Sequence, residues 1–481
     1  MTAGANLYGL FAEAAGQAGE TPVFIEDGIV RLRYEGLDAA VAGWVDALRG
    51  LGARCGDRIL VQAEKSVEGA LLYLACLRAG LVYVPLNPAY TAPEVAWFVE
   101  DAEPVLVVDD ARLSEIAGGI APDAEAEIVP RAPDDLAAIL YTSGTTGRSK
   151  GAMLSHDNLA SNALVLKDYW RWQEGDVLIH ALPIYHVHGL FVALHGALLN
   201  GSTMIWHKAF DAGAVIADFA RATILMGVPT FYVRLGADPR LTREAAAGMR
   251  LFVSGSAPLL DSTFDSFEAR TGHRILERYG MTEAGMICSN PYEGERIPGT
   301  VGFPLPGVSA RVADDTGAEL PRGIPGMLEI KGPNLFKGYW RQPDKTEEEM
   351  RPDGWFITGD VATMAEDGRV AIVGRAKDLI IAGGLNIYPK EIELAIDAVP
   401  GVTENAVIGV PHPDLGEAAI AVVVRADPAL DEAAILAALA GRLARFKRPR
   451  RILFADALPR NAMGKVQKAA LRAAHRDLFQ A

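Results

Sequence analysis

Cysteine is scarce: Cys55, Cys76 and Cys288 are the three in 481 residues. They are too scattered for a disulfide framework or a metal knuckle, which fits a reducing, cytoplasmic setting. Positive charge is also in deficit, with 46 Lys and Arg against 61 Asp and Glu and a net charge of −15. Nucleic acid is therefore excluded as a bulk partner, because phosphate backbones are bound by excess positive charge. Any anionic substrate must be held by locally placed Lys and Arg. Long hydrophobic runs are missing too. The most apolar early stretch, 69–86, is interrupted by Arg78 and Gly80, so it reads as a helix and a strand, and no membrane partner is expected. Met1 to Leu7 lack a basic start followed by an apolar run, so no export signal is expected. There is no internal repeat and no low-complexity segment. What is present is hydrophobic residues at 50%, enough for an ample core spread over two to four structural units.

The apolar pattern alternates between helix and strand periods. Helices are expected over 7–18, 34–51, 66–79 (amphipathic) and 92–100, with strands over 57–62, 81–85 and 104–108. Alternating β and α predicts a largely parallel sheet covered by helices. The stretch 112–133 reads as a surface connection. Further strand-to-turn junctions follow at 176–182, 222–230 and 250–258. Past residue 377 a piece of about a hundred residues shows strands near 379–381, 402–410 and 418–424 and helices over 389–398 and 432–444. The expected class is α/β: a large N-terminal lobe of several subdomains, 1–376, with parallel-rich sheets, and a small mobile α+β domain, 377–481.

The most informative stretch is Tyr141-Thr142-Ser143-Gly144-Thr145-Thr146-Gly147-Arg148-Ser149-Lys150-Gly151. Short apolar strands flank it. Its glycines let the backbone turn where a Cβ would clash, and the hydroxyls and nearby N–H groups can face one anion. Lys150 adds a movable charge, so a phosphate chain suits the loop. It is not a Walker loop, since Gly147 is followed by Arg148-Ser149-Lys150 and not by the required spacing to Gly-Lys-Ser/Thr. His186 and His188 stand two apart after a strand, where α/β sheets place ligands; no third ligand of suitable spacing follows, which disfavours a metal there.

The loop resembles the phosphate loop of the adenylate-forming superfamily, which includes acyl-CoA synthetases, luciferases and peptide-synthetase adenylation domains. Further segments match in the family's order and span most of the chain. Glu277-Arg278-Tyr279-Gly280-Met281-Thr282-Glu283 matches the Tyr-Gly-x-Thr-Glu motif. The resemblance implies that Tyr279 stacks on adenine, that Gly280 keeps the backbone close, that Thr282 donates to a phosphate and that Glu283 is an oxygen ligand for Mg²⁺. It assigns ATP or AMP contacts to Thr142, Ser143, Gly144, Thr145, Thr146, Gly147, Lys150, Ser256, Ala257, Pro258, Glu277 and Met281 as well. Asp360 would accept from ribose hydroxyls with Arg375 beside it. His186 would lie against the acyl carboxylate. Lys465, in Pro459-Arg460-Asn461-Ala462-Met463-Gly464-Lys465, would bridge carboxylate and α-phosphate. Lys377 would be the pivot of the small domain and Gly383-Gly384 the surface facing CoA. The basic run with Lys447 and Arg448 is a solvated face or a landing place for the CoA 3′-phosphate.

The implied chemistry is formation of an acyl-adenylate from ATP, with catalytic roles for Lys465, His186, Thr282 and Lys150, followed by attack of the CoA thiol. Ser254, Arg234 and Arg278 join His186 as candidate acid-binding residues. Two guanidiniums near an acyl pocket favour a second carboxylate, which they can bind bidentately. A small dicarboxylate such as malonate or methylmalonate is expected, and within the superfamily the resemblance is greatest to the bacterial malonyl-CoA synthetases. Another short or aryl acid, a carrier-protein-loading module and a non-turning-over ATP binder remain as alternatives. The family also suggests a lysine acyltransferase acting on Lys465.

Overall fold

Parallel strands joined by helices build the larger of two compact units. The computed structural model describes residues 4–121, 124–142, 149–382, 385–460 and 465–479. Among these, one sheet has nine strands in the order Phe303–Pro304, Gly285–Ser289, Leu276–Met281, Leu251–Ser254, Ile224–Gly227, Val177–His180, Thr203–Trp206, Pro22–Glu26, Ile29–Arg33. The six from Leu276–Met281 to Pro22–Glu26 are parallel, and antiparallel hairpins close both ends. Thr203–Trp206 pairs on one side of Val177–His180, whereas Ile224–Gly227 pairs on the other. The chain reverses its order there, a switch point at whose strand carboxyl ends α/β sheets place ligands. A second sheet runs Leu106–Asp109, Arg58–Gln62, Val82–Pro85, Leu136–Thr142, Lys150–Ser155, parallel except for the final hairpin.

The expected α/β class is what the chain adopts, with two local differences. Helix Val67–Ala79 is buried on nearly every face and is not amphipathic. Its one late charge, Arg78, is 4% exposed and is matched by Asp38 Oδ1 at 2.8 Å and the Asp38 carbonyl at 2.8 Å. A buried cation with a carboxylate and carbonyls around it removes the reason for a polar face. The expected connection 112–133 begins as a helix, Asp110–Gly118, because the Asp109 side chain accepts from Arg112 N at 2.8 Å and Leu113 and Ile116 are buried.

The two compact units are residues 1–309 with 331–354, and residues 310–330 with 355–481. The second holds a four-stranded sheet, Ser309–Ala313, Gly326–Lys331, Phe356–Met364, Val370–Arg375, which the sequence pattern did not reveal. It also holds the sheet Leu385–Ile387, Ile380–Ala382, Gly416–Arg425, Val402–His412, with Arg451–Phe454 parallel to Gly416–Arg425. Ile392, Ile396, Val407, Val423, Ile435 and Leu439 fill its core, each burial contributing about 1.5–3 kcal/mol. Helix Glu432–Ala440 stops short of the expected Ala444 at Gly441, where Arg448 caps it by donating to the carbonyls of Ala440 at 2.8 Å and Leu443 at 2.9 Å. Among the described residues no helix is long and apolar enough to cross a membrane.

Candidate active site

The strands on either side of the expected phosphate loop pair antiparallel, with Thr142 facing Lys150 and Tyr141 facing Gly151. Ser143, Gly144, Thr145, Thr146 and Gly147 lie outside the described residues. A Cβ on Gly151 would meet Ile139 Cγ2 at 2.9 Å and Trp340 Cβ at 3.3 Å. That space is taken because residues 337–340 run beside the hairpin: Lys337 N donates to Met153 O at 2.8 Å and Trp340 N to Gly151 O at 2.7 Å. Asn158 Nδ2, bound to the carbonyls of Pro333 at 2.7 Å and Leu335 at 2.8 Å, anchors the run from behind.

This arrangement seats Tyr339 between three charged groups. Lys150 Nζ lies 4.0 Å above its ring centroid and 2.7 Å from Glu349 Oε1. Its hydroxyl is 2.9 Å from Glu283 Oε1 and 2.6 Å from Glu349 Oε2. A phenol has one proton to give, so only one carboxylate can accept it. Glu283 is 6% exposed, and burial pushes its pKa up. A buried carboxylate short of positive charge is a fitting oxygen ligand for a hard divalent cation.

The crevice beyond is lined from the strand ends. Strand Val177–His180 leads into Pro183 to His188, and Gly189 is needed because a Cβ there would lie 2.0 Å from the Pro183 carbonyl. His180 Nε2 bonds the Gly189 carbonyl at 2.9 Å, and buried Lys65 Nζ holds the other ring nitrogen at 2.9 Å. The chain then makes a π-helical turn, His188–Ala193, a form common at functional sites. His186 is half-buried against Tyr185, centroids 4.6 Å apart. His188 is buried, its Nδ1 3.5 Å from Ser256 Oγ and its Nε2 without a partner. Burial holds His188 well below the usual histidine range, so it is a neutral imidazole.

Strand Leu251–Ser254 ends on a buried Ser254 whose Oγ has no partner. Ser256 has φ +71°, a left-handed conformation that costs a non-glycine residue energy and clusters at functional sites. Gly255 makes room for Arg278: a Cβ would lie 2.5 Å from the guanidinium carbon. Arg278, on strand Leu276–Met281, is 3% exposed with Nε and Nη2 unpaired, and burial pulls its pKa down to about 9. Glu277 Oε1 accepts from Leu259 N at 3.1 Å, bracing the turn that carries Ala257 and Pro258. Tyr279, Met281 and Thr282 are partly buried at the strand's end. The missing Cβ of Gly280 has a local cause, since one would lie 2.2 Å from the Gly285 carbonyl across the hairpin. Arg234 sits on helix Pro229–Ala237 as expected, with its side chain exposed.

In the second unit Asp360 and Arg375 face each other across paired strands, with Arg375 Nε 2.9 Å from Asp360 Oδ1. Thr358 Oγ1 accepts from Asp360 N at 3.1 Å. Lys377 is exposed in the turn Ala376–Asp378, and partial desolvation lowers its pKa. Lys465 is exposed, next to the bridge between Arg460 and Val466. Lys447 pairs with both oxygens of Glu391 at 2.7 and 2.8 Å. Gly383 and Gly384 lie outside the described residues.

The hydroxyl-rich segment, the Tyr-Gly-x-Thr-Glu strand end and the Asp360–Arg375 pair each lie in segments that resemble the adenylate-forming superfamily. The model for the AMP-binding enzyme family matches residues 11–340, and that for the AMP-binding enzyme C-terminal domain matches 391–465. The chain belongs to the AMP-binding enzyme family. As such it is an AMP-forming acid–thiol ligase. It is 37% identical to a feruloyl-CoA synthase of an Amycolatopsis species, over 93% of this chain and 95% of that one. It is 34% identical to a malonate–CoA ligase of Arabidopsis thaliana, over 88% and 79%. ATP-bound MatB from Rhodopseudomonas palustris superposes with a TM-score of 0.95 at 52% identity, covering 99% of this chain and 100% of MatB.

The sequence reading missed Tyr339, Glu349 and Lys65, and it weighed His188 only as half of a metal pair. Tyr339 carried a signal in the run Lys337-Gly338-Tyr339-Trp340, two adjacent aromatics after a glycine. Glu349 carried none, being one of three consecutive glutamates.

Proposed function

We propose that the chain is an ATP-dependent malonate–CoA ligase that forms malonyl-CoA, AMP and pyrophosphate through a malonyl-adenylate, with methylmalonate as a secondary substrate. The observation that carries this reading is Arg278: a guanidinium 3% exposed with Nε and Nη2 unpaired. An uncompensated buried charge costs several kcal/mol, and a ligand carboxylate received by that planar fork offsets the cost through two parallel hydrogen bonds. Ser254 Oγ and His188 Nε2 are further buried polar atoms without partners in the same crevice. A neutral acyl tail would leave all three unsatisfied, whereas a second carboxylate supplies the acceptors. The 34% identity to a malonate–CoA ligase supports the same choice.

In this reading the reacting carboxylate lies by His186 and attacks the α-phosphorus of ATP. Lys150, Thr282 and the loop hydroxyls hold the phosphates, while Asp360 and Arg375 hold the ribose and Tyr279 the adenine. Glu283 would hold Mg²⁺, which supplies positive charge beside the phosphate oxygens when bound. Lys465, delivered by the domain 377–481 turning about Lys377, neutralises charge developing between carboxylate and phosphate. The same domain then presents the surface at Gly383 and Gly384 to the CoA thiol, which attacks the adenylate carbonyl and expels AMP. Lys447 and Arg448 already carry structural bonds, so they contribute to CoA by shaping the basic face. Acylation of Lys465 would remove its charge and stop the first step.

The test is thioester and AMP formation with ATP, Mg²⁺ and CoA across malonate, methylmalonate, acetate and ferulate. Malonate is expected to have the highest kcat/KM. Acetate or ferulate ahead of malonate refutes the reading, and adenylation without thioester would assign the chain to carrier loading.

A further inference from the structure

Lys150 is engaged by groups of the chain itself. Its ammonium lies 2.7 Å from Glu349 Oε1 and over the face of Tyr339 at 4.0 Å. The two side chains are 23% and 32% exposed, so the pair is reachable and can be broken at modest cost. Glu349 is the residue that ends the short helix Pro343–Glu348. A carboxylate at a helix C-terminus faces the negative end of the dipole and is stabilised only by a nearby cation. Lys345 is committed to Glu348 at 2.6 Å, which leaves Lys150 to serve Glu349. The run 337–340 and this helix are tied together, Tyr339 N donating to Thr346 Oγ1 at 2.9 Å. The second oxygen of Glu349 is 2.6 Å from the same phenol that lies 2.9 Å from Glu283.

We propose that Glu349 is an exchangeable counter-ion for Lys150. It holds the ammonium while the nucleotide site is empty, yields it to phosphate oxygens when ATP arrives, and then sits with Tyr339 beside Glu283 in the outer shell of the accompanying divalent cation. Two carboxylates on one phenol with a single ammonium are short of positive charge, and the departure of Lys150 to phosphate deepens that deficit. A divalent cation restores it. Glu349 is thus a positioning residue: it opposes metal-free nucleotide and favours the metal complex. The inference rests on the reading that Lys150 meets the triphosphate.

Equilibrium binding of ATP by calorimetry, without acid or CoA, in EDTA and in saturating Mg²⁺, tests it on wild type, Lys150→Met, Glu349→Gln and the double variant. In EDTA, Lys150→Met should weaken ATP about tenfold and Glu349→Gln should tighten it about fivefold, for loss of one ion pair. In the Lys150→Met background Glu349→Gln should have no effect beyond about twofold, since coupled residues fail additivity. The gain in affinity on adding Mg²⁺ should fall at least roughly threefold in Glu349→Gln and in Tyr339→Phe. Glu349→Asp, with its charge drawn back by one methylene, should show a smaller tightening of the same sign. Unchanged or weaker metal-free binding in Glu349→Gln, or equal tightening without Lys150, overturns the exchange. An unchanged Mg²⁺ gain overturns the role beside Glu283. A Lys150→Met enzyme that binds metal-free ATP normally sinks the phosphate-site reading itself.

Discussion

Replacing Arg278 by methionine removes the guanidinium and keeps most of the volume of its stem. In wild type the group is 3% exposed, and Nε and Nη2 lack partners. With malonate bound, each of two charge-assisted hydrogen bonds contributes about 1.5–3 kcal/mol. Their loss should cost about 4 kcal/mol of transition-state binding, or roughly a thousandfold in malonate kcat/KM. Stability should move the other way. Without substrate the buried charge is a burden, and exchanging it for an apolar side chain should raise the apparent unfolding midpoint, by about 1–3 kcal/mol of stability. Acetate, which has no second carboxylate, should lose little or gain. The assays are steady-state kinetics with both acids and urea unfolding of the substrate-free enzyme. Malonate kcat/KM within threefold of wild type refutes the assignment of Arg278. A lower unfolding midpoint refutes the premise, because it means that the guanidinium is satisfied inside the folded chain.

Gly255→Ala places a methyl where the ideal Cβ lies 2.5 Å from the Arg278 guanidinium carbon; malonate KM should rise well above tenfold while the KM for ATP holds, as read by steady-state titration of each substrate. Lys465→Ala should abolish adenylation, measured by pyrophosphate exchange, yet still convert supplied malonyl-adenylate and CoA to thioester; equal loss of both steps contradicts its role. Burial, aided by Arg131, holds His156 down to about 4, and its Nδ1 accepts from Leu7 N at 3.1 Å. The unfolded chain takes the proton first, so stability is full above the ordinary histidine value near 6.5 and drains as the pH falls toward 4, by about 3 kcal/mol from this residue. Urea midpoints between pH 7.5 and 4.5 should fall less in His156→Gln than in wild type.

What the sequence made legible was whatever is local. The helix expected over 66–79 matches Val67–Ala79 to within one residue because its ends are set locally, the Ser66 side chain accepting from Gly69 N and Gly80 taking a left-handed turn. The hairpin around the phosphate loop follows from two short apolar runs and the glycines between them. The family motif at Tyr279 to Glu283 is likewise contiguous. Illegible were the features that need two distant segments at once. Arg278 reads on its own as an odd residue before a tyrosine; its burial, and the reason Gly255 precedes Ser256, appear only once strands Leu251–Ser254 and Leu276–Met281 lie side by side. The same holds for the link between Lys150 and Glu349, 199 positions apart in the chain. Neither local propensity nor apolar period distinguishes Glu349 from Glu347 or Glu348. The difference is made by residues 337–340 hydrogen-bonding along strand Lys150–Ser155 and carrying Tyr339 to the ammonium. Charge placement across the site is therefore a property of the packing between segments: the dicarboxylate was expected from Arg234 and Arg278 in the sequence, whereas the burial of Arg278 and the counter-ion of Lys150 appear only with the fold.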